Sequence, residues 1–225
     1  MREHLERSRP ADGRLRVLEA GCGRSWPFDL PDATITGVDL DEAALRIRRE
    51  VRRDLDEAIV GDVCALDFDD RQFDAVYSAY VLEHVPRADL ALANFARWVR
   101  PGGVIVLKVP DRDSVRGFAT RSTPHWVHVL YYRRVLRIAN AGTPGHPPYP
   151  TCFHPVVSRR GIRDFCAGHG LEVVEERGDG GYRSFAGRGL ASRITDAVSR
   201  AVAGLSRGRL DAGHTNLVYV LLRTA

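Results

Sequence analysis

The sequence predicts an α/β fold, a parallel sheet covered by helices on both faces. Three observations predict it. Short, nearly continuous apolar runs alternate with stretches of helical periodicity through the first half of the chain. Several of these runs end at a glycine or an aspartate, as strands feeding a ligand-binding edge do. The chain has 225 residues, 44% of them hydrophobic and 28% charged, which suits one domain with one core.

The elements follow in order. Residues 16–20 form a first strand ending at Gly21, and residues 35–38 a second ending at Asp39. Residues 41–53 read as a helix, with Ala44, Ile47, Val51 and Leu55 on one face. Asp41 and Glu42 open it and arginines, Arg48 among them, close it, in line with the helix dipole. Residues 58–60 and 73–78 are the third and fourth strands. Residues 88–100 form a helix with Leu92, Phe95, Ala96 and Val99 inward, stopped by Pro101-Gly102-Gly103. Residues 104–109 are the fifth strand.

The second half is less regular. Residues 111–157 carry few helical or strand signals and are rich in His, Tyr, Trp, Pro and Gly, so they read as an inserted cover. A helix at 158–169 and a strand at 171–177 follow. Residues 179–214 read as a further insertion around an amphipathic helix at 190–205, with Ile194, Ala197, Val198, Ala201 and Leu205 on one face. Packing of that face onto the domain is the default expectation. A final strand covers 217–222.

Composition excludes several classes. No apolar run reaches the roughly 20 residues that span a bilayer, and residues 1–10 lack a signal-peptide apolar core, so a cytoplasmic protein is expected. The four cysteines form no C-x-x-C pair, and no metal cluster is apparent. The formal net charge is +4, and Lys108 is the only lysine. Acids and bases are interspersed, which argues against nucleic acid as a partner. Nothing in the sequence assigns an oligomeric state.

Chemistry concentrates at the strand ends. Glu19-Ala20-Gly21-Cys22-Gly23 closes the first strand, and its glycines let backbone approach a ligand. Asp39 closes the second strand, where a carboxylate can accept hydrogen bonds from paired ribose hydroxyls. Asp62 follows the third and can accept from an exocyclic amine. Each has a plainer reading, the glycines as a tight turn and Asp62 as a helix cap. Leu82-Glu83-His84-Val85 follows the fourth strand, and Arg100-Pro101-Gly102-Gly103 precedes the fifth.

In this order and spacing, residues 15–109 resemble the class I S-adenosylmethionine-dependent methyltransferases, in the group with a Leu-Glu-His segment after the fourth strand. The resemblance implies a Rossmann-like seven-stranded sheet with helices on both faces and the last strand antiparallel. It implies S-adenosyl-L-methionine as cofactor and a small-molecule methyl acceptor. It places Glu19, Gly21 and Gly23 around the methionine moiety, Asp39 on the ribose and Leu40 beside the adenine. Asp62 and Val63 meet the adenine edge, and the backbone of Ala79 and Tyr80 faces the methionine part. The chain departs from the family in two ways: Ser25 stands where a third glycine is common, and Pro27 and Pro31 leave little room for the usual first helix. A helix N-terminus there would help bind a carboxylate; Arg24 or Trp26 would have to substitute.

Three other functions are weighed. A dehydrogenase would want Gly-x-Gly-x-x-Gly, but Trp26 occupies the third glycine's place. An amino-methylating nucleic-acid enzyme would carry an Asn/Asp-Pro-Pro-Tyr/Phe segment, where this chain has Ser78-Ala79-Tyr80-Val81. A non-catalytic cofactor binder of the same fold is the third alternative. For catalysis, a hydroxyl acceptor needs a base. His125, His128 and His154 in the aromatic segments, and His84, are the candidates, with His125 first because it lies nearest in sequence to the fifth strand. Each can equally serve a local backbone group.

Overall fold

The computed structural model describes residues 1–11, 13–68, 72–143, 146–180 and 190–224, with the backbone alone for 190–196. Seven strands, β1 (Leu15–Ala20), β2 (Ala33–Asp39), β3 (Glu57–Val60), β4 (Phe73–Ala79), β5 (Val99–Pro110), β6 (Leu171–Asp179) and β7 (Asn216–Arg223), form one sheet in the order β3-β2-β1-β4-β5-β7-β6. The pairs from β3 through β5 are parallel. β7 runs antiparallel to β5. This is the expected sheet. Strand order reverses beside β1, which puts the switch point, where such sheets bind ligands, at the carboxyl ends of β1 and β4.

The helices are α1 (Arg2–Arg7), α2 (Glu42–Arg46), α3 (Ala88–Trp98), α4 (Val115–Ser122), α5 (His125–Arg134), α6 (Arg159–Gly168) and α7 (Leu190–Leu205). One face of the sheet gathers residues spaced two apart, Val17, Ala75, Tyr77, Val104 and Val106, and α1 adds Leu5 to them. α3 buries Leu92, Phe95, Ala96 and Trp98. Asp74 is buried; it accepts from the Arg16 N–H at 2.8 Å and from Arg100 Nε at 2.7 Å, tying β1, β4 and β5 together.

Four sequence expectations are corrected. The helix expected at 41–53 is α-helical only to Arg46 and continues as a π-helix, Ile47–Arg52. The wider turn carries Val51 out of the core, 73% exposed, and turns Arg48 into it. The segment 111–157 is not devoid of helix, since α4 and α5 lie within it. Sequence periodicity missed α5 because it buries no residue. The helix after Phe73–Ala79 ends at Trp98, and β5 runs straight through Pro101-Gly102-Gly103. Finally, Val198 and Leu205 of α7 are exposed rather than packed.

The chain divides into two compact units. The first holds Met1–Val109, His154–Glu176 and Val218–Ala225. The second holds Pro110–Phe153 and Arg177–Leu217; residues 181–189 of the expected 179–214 insertion lie outside the described residues. The two pieces of the second unit are stitched together. His214 Nε2 meets Asp111 Oδ2 at 2.7 Å, the Asp111 N–H donates to Thr215 O, and the Val115 N–H donates to Asp211 O.

Candidate cofactor-binding site

The turn after β1 is shaped by two glycines. Gly21 has a φ of 71°, and a Cβ there would collide with Val81 beyond β4. Gly23 has a φ of 53°, and the space beside it is open. The Gly23 N–H donates to Asp39 Oδ2 at 2.7 Å, while the Asp41 N–H donates to Asp39 Oδ1 at 2.9 Å. One carboxylate therefore joins the turn after β1 to the turn after β2 through charge-assisted bonds. Beside it Leu40 is 73% exposed, an apolar side chain left in water at a polar strand end.

The neighbouring strand ends complete the rim. Asp62 is exposed and accepts from the Cys64 N–H at 2.8 Å, while Val63 is buried and its carbonyl accepts from Asn94 at 2.8 Å. After Ala79, Tyr80 takes a left-handed backbone with φ 60°, which is uncommon for a residue with a side chain. Its N–H donates to Lys108 O at 2.8 Å, and Lys108 Nζ sits 5.4 Å from its ring centroid. These residues cluster around one sheet edge in the first unit.

Glu19 lies behind this turn. Its carboxylate accepts from the fully buried Arg48 guanidinium at 2.8 Å. Arg48 also donates to Cys22 O at 2.7 Å and to Asp54 Oδ1 at 2.6 Å. Burial pushes the Glu19 carboxyl up to about 7, and Arg48 opposes the rise. Burial lowers the Arg48 affinity for its proton, but Glu19 and Asp54 more than restore it. The sequence assigns Glu19 to the ligand and Arg48 to the closing turn of a helix; the structure pairs them.

No helix stands between β1 and β2, as Pro27 and Pro31 foretold. Trp26 and Phe28 fill the place, packing edge-on against Tyr77 and each other. Arg24 lies 3.6 Å from Asp41.

The segment after β4 forms a 3-10 turn, Leu82–His84, whose last N–H bonds back to Val81 O at 2.8 Å. His84 is thereby fixed to the valine that covers Gly21. Glu83 is buried, and its Oε2 has no hydrogen-bond partner. Burial raises its carboxyl to about 8, so it is held as the neutral acid at physiological pH. Its Oε1 stands 4.0 Å from His84 Nε2. The unfolded chain releases the Glu83 proton near pH 4.5, whereas the folded chain keeps it until about 8. Stability attached to this proton is therefore lost as pH rises through that window, on the order of 1 kcal/mol per pH unit. Glu83→Gln is expected to remove this slope. Melting temperatures of variant and wild type should diverge in the variant's favour from pH 5 to pH 8, and parallel curves would refute the burial of an unpaired acid.

The other histidines take different places. His154 caps a short 3-10 turn, accepting from the Val156 N–H at 3.2 Å, and lies 3.6 Å from Asp89. His128 meets Thr123 Oγ1 at 2.9 Å and the Thr120 carbonyl at 3.2 Å. His125 is exposed on the first turn of α5. Of the four candidates, the structure joins only His84 to the glycine turn. His125 and His128 belong to the second unit.

This arrangement has counterparts. The family profile described as a methyltransferase domain matches residues 18–107, which run from β1 to β5. This match covers 90 of the 225 residues, all of them in the first unit. The chain is 33% identical to a malonyl-[acyl-carrier protein] O-methyltransferase of Erwinia pyrifoliae, over 50% of this chain and 43% of that protein. It is 26% identical to a ubiquinone biosynthesis O-methyltransferase of Maricaulis maris, over 76% of this chain and 75% of that one. The chain thus spans less than half of the first relative and three quarters of the second. In fold it is similar to magnesium protoporphyrin IX methyltransferase from Synechocystis with bound SAH. That likeness has a TM-score of 0.56 at 14% identity, covering 94% of this chain and 75% of that one. Among the described residues no helix is long and apolar enough to cross a membrane, and no metal-ligating cluster occurs.

Proposed function

We propose that this methyltransferase domain moves a methyl group from S-adenosylmethionine to a hydroxyl of a small-molecule acceptor. One observation carries the reading: the Asp39 carboxylate at the end of β2, clamped to the Gly23 N–H beside open backbone. Asp39 takes the ribose hydroxyls, Leu40 and Val63 flank the adenine, and Asp62 accepts from its amine. Gly21, Gly23, Ala79 and Tyr80 offer backbone to the methionine portion, and Glu19 supports that turn through Arg48. The bound cofactor supplies a methyl carried on a sulfonium. The chain contributes orientation, the main requirement of an in-line transfer. With Glu83 held neutral, His84 is the neighbouring group able to accept the acceptor's hydroxyl proton. The segments 111–157 and 179–214 are additions to this domain. The similarity to an O-methyltransferase of ubiquinone biosynthesis favours phenolic or quinol hydroxyls over nucleic acid, and a cytoplasmic location suits such a reaction.

Calorimetric titration tests the cofactor, with S-adenosylmethionine, S-adenosylhomocysteine and an NADH control. Micromolar binding of both adenosyl ligands and none of NADH is expected; absence of adenosyl binding overturns the reading. On a panel of catechols and quinols, His84→Ala is expected to lower kcat by about 10²- to 10⁴-fold while S-adenosylhomocysteine affinity stays unchanged. An unchanged kcat would remove His84 from the chemistry.

A further inference from the structure

The two units carry opposite charge. Read from the sequence, the second unit has 13 arginines against 5 acids, and the first has 20 basic residues against 24 acids. The +4 of the whole chain thus conceals a basic unit attached to an acidic one. Apolar exposure divides the same way. Of the 14 exposed large hydrophobic side chains among the described residues, eight belong to the second unit.

Six of these eight sit on α4, α5 and α7. α5 carries Trp, Tyr, Leu and Val yet buries none of its residues. Trp126, 65% exposed, and Leu130 lie one turn apart, and Arg134 continues the same stripe a turn further on. On α7, which contacts α4 within this unit, Val198 and the 85% exposed Leu205 share an apolar stripe; Arg200 is exposed on the same helix and Arg207 just past its end. Large exposed apolar surface mixed with an excess of one charge marks a docking surface rather than a solvated one.

We propose that the second unit docks on an anionic lipid surface, independently of methyl transfer. A membrane interface takes both features at once. Aliphatic and indole side chains enter the headgroup boundary, and arginines pair with anionic headgroups at its edge. Nucleic acid would engage the arginines and leave Leu130, Val198 and Leu205 in water. A folded acidic protein is the remaining partner with matching charge, but it offers no continuous apolar layer for two separate helices.

The test is co-flotation of the full chain with vesicles. Binding is expected to vesicles of equal parts phosphatidylglycerol and phosphatidylcholine, to fall several-fold in raised salt, and to be weak on pure phosphatidylcholine. Trp126→Ser with Leu205→Ser should abolish flotation. Arg134→Glu with Arg200→Glu and Arg207→Glu should reduce it at least tenfold. Because all five side chains are exposed, circular dichroism and melting temperature should match wild type. Failure to float with the anionic vesicles overturns the proposal. So does equal flotation with both vesicle types, or insensitivity to both sets of substitutions. Retention of an RNA oligonucleotide or of an acidic carrier protein without vesicle binding would also overturn it, assigning the surface to that partner.

Discussion

Asp39→Ala is expected to lower affinity for S-adenosylhomocysteine by about a hundredfold or more while the protein stays folded. The magnitude follows from what the carboxylate does. It already accepts from the Gly23 and Asp41 N–H groups at 2.7 and 2.9 Å, and in the proposed complex it accepts from ribose hydroxyls as well. A hydrogen bond to a charged group contributes about 1.5–3 kcal/mol, and two such bonds at the ribose give a loss of that order. The fold tolerates the change because Asp39 stands at a strand end, half-buried, and water can reach the N–H groups it leaves. Asp39→Asn separates the contributions. The amide keeps one acceptor and loses the charge, so its affinity should fall between those of wild type and alanine. Unchanged calorimetric affinity in the alanine variant would move the ribose away from β2 and break the residue assignment.

The strand ends were the most legible part of this chain. Strands of a doubly covered parallel sheet are apolar on both faces, so each run stops abruptly where the polar rim begins. That is why Gly21, Asp39, Asp62 and Ala79 could be placed from sequence within a residue or two of the observed ends. Three things were illegible, each for a physical reason. Helical periodicity assumes 3.6 residues per turn, and the π turns after Ile47 break that assumption, exchanging Val51 for Arg48 in the core. α5 buries nothing, and its apolar residues stand side by side, Trp126 with Val127 and Val129 with Leu130, so no helical period marks it in the sequence. The local histidine bonds depend on tertiary placement: His154 lies against Asp89, 65 residues away in sequence, which spacing does not reveal. In the proposed site, the acids at strand ends were found by position, while the ion pair behind them was missed because Glu19 reads as one more ligand-facing acid and Arg48 as one of the arginines that close a helix.

That ion pair gives the largest expected effect on stability. Arg48→Met is expected to cost about 3–5 kcal/mol, the usual loss when one partner of a buried pair is removed, and to lower the melting temperature by roughly 10 °C. The guanidinium is fully buried and answers Glu19, Asp54 and the Cys22 carbonyl together. Methionine fills similar volume but satisfies none of them. Glu19 would then be a buried carboxyl with burial still raising its pKa and its main opposing charge gone. From its ordinary 4.5 up to about 7 the raised Glu19 carboxyl costs wild type and variant the same stability per pH unit; above about 7 only the variant, whose carboxyl is raised further, goes on losing, so the deficit should widen above pH 7. Glu19→Gln in the same background should narrow it and flatten its pH dependence, because no charge then has to be buried. A double-mutant cycle measures this coupling directly. A single-variant loss under about 1 kcal/mol would show that Glu19 does not depend on Arg48. Cofactor affinity should fall as well, even at temperatures where Arg48→Met is fully folded. The bond from Arg48 to Cys22 O holds the turn between Gly21 and Gly23, and that turn presents its backbone to the ligand. A variant that melts early yet binds S-adenosylhomocysteine as tightly as wild type would assign Arg48 to the core alone.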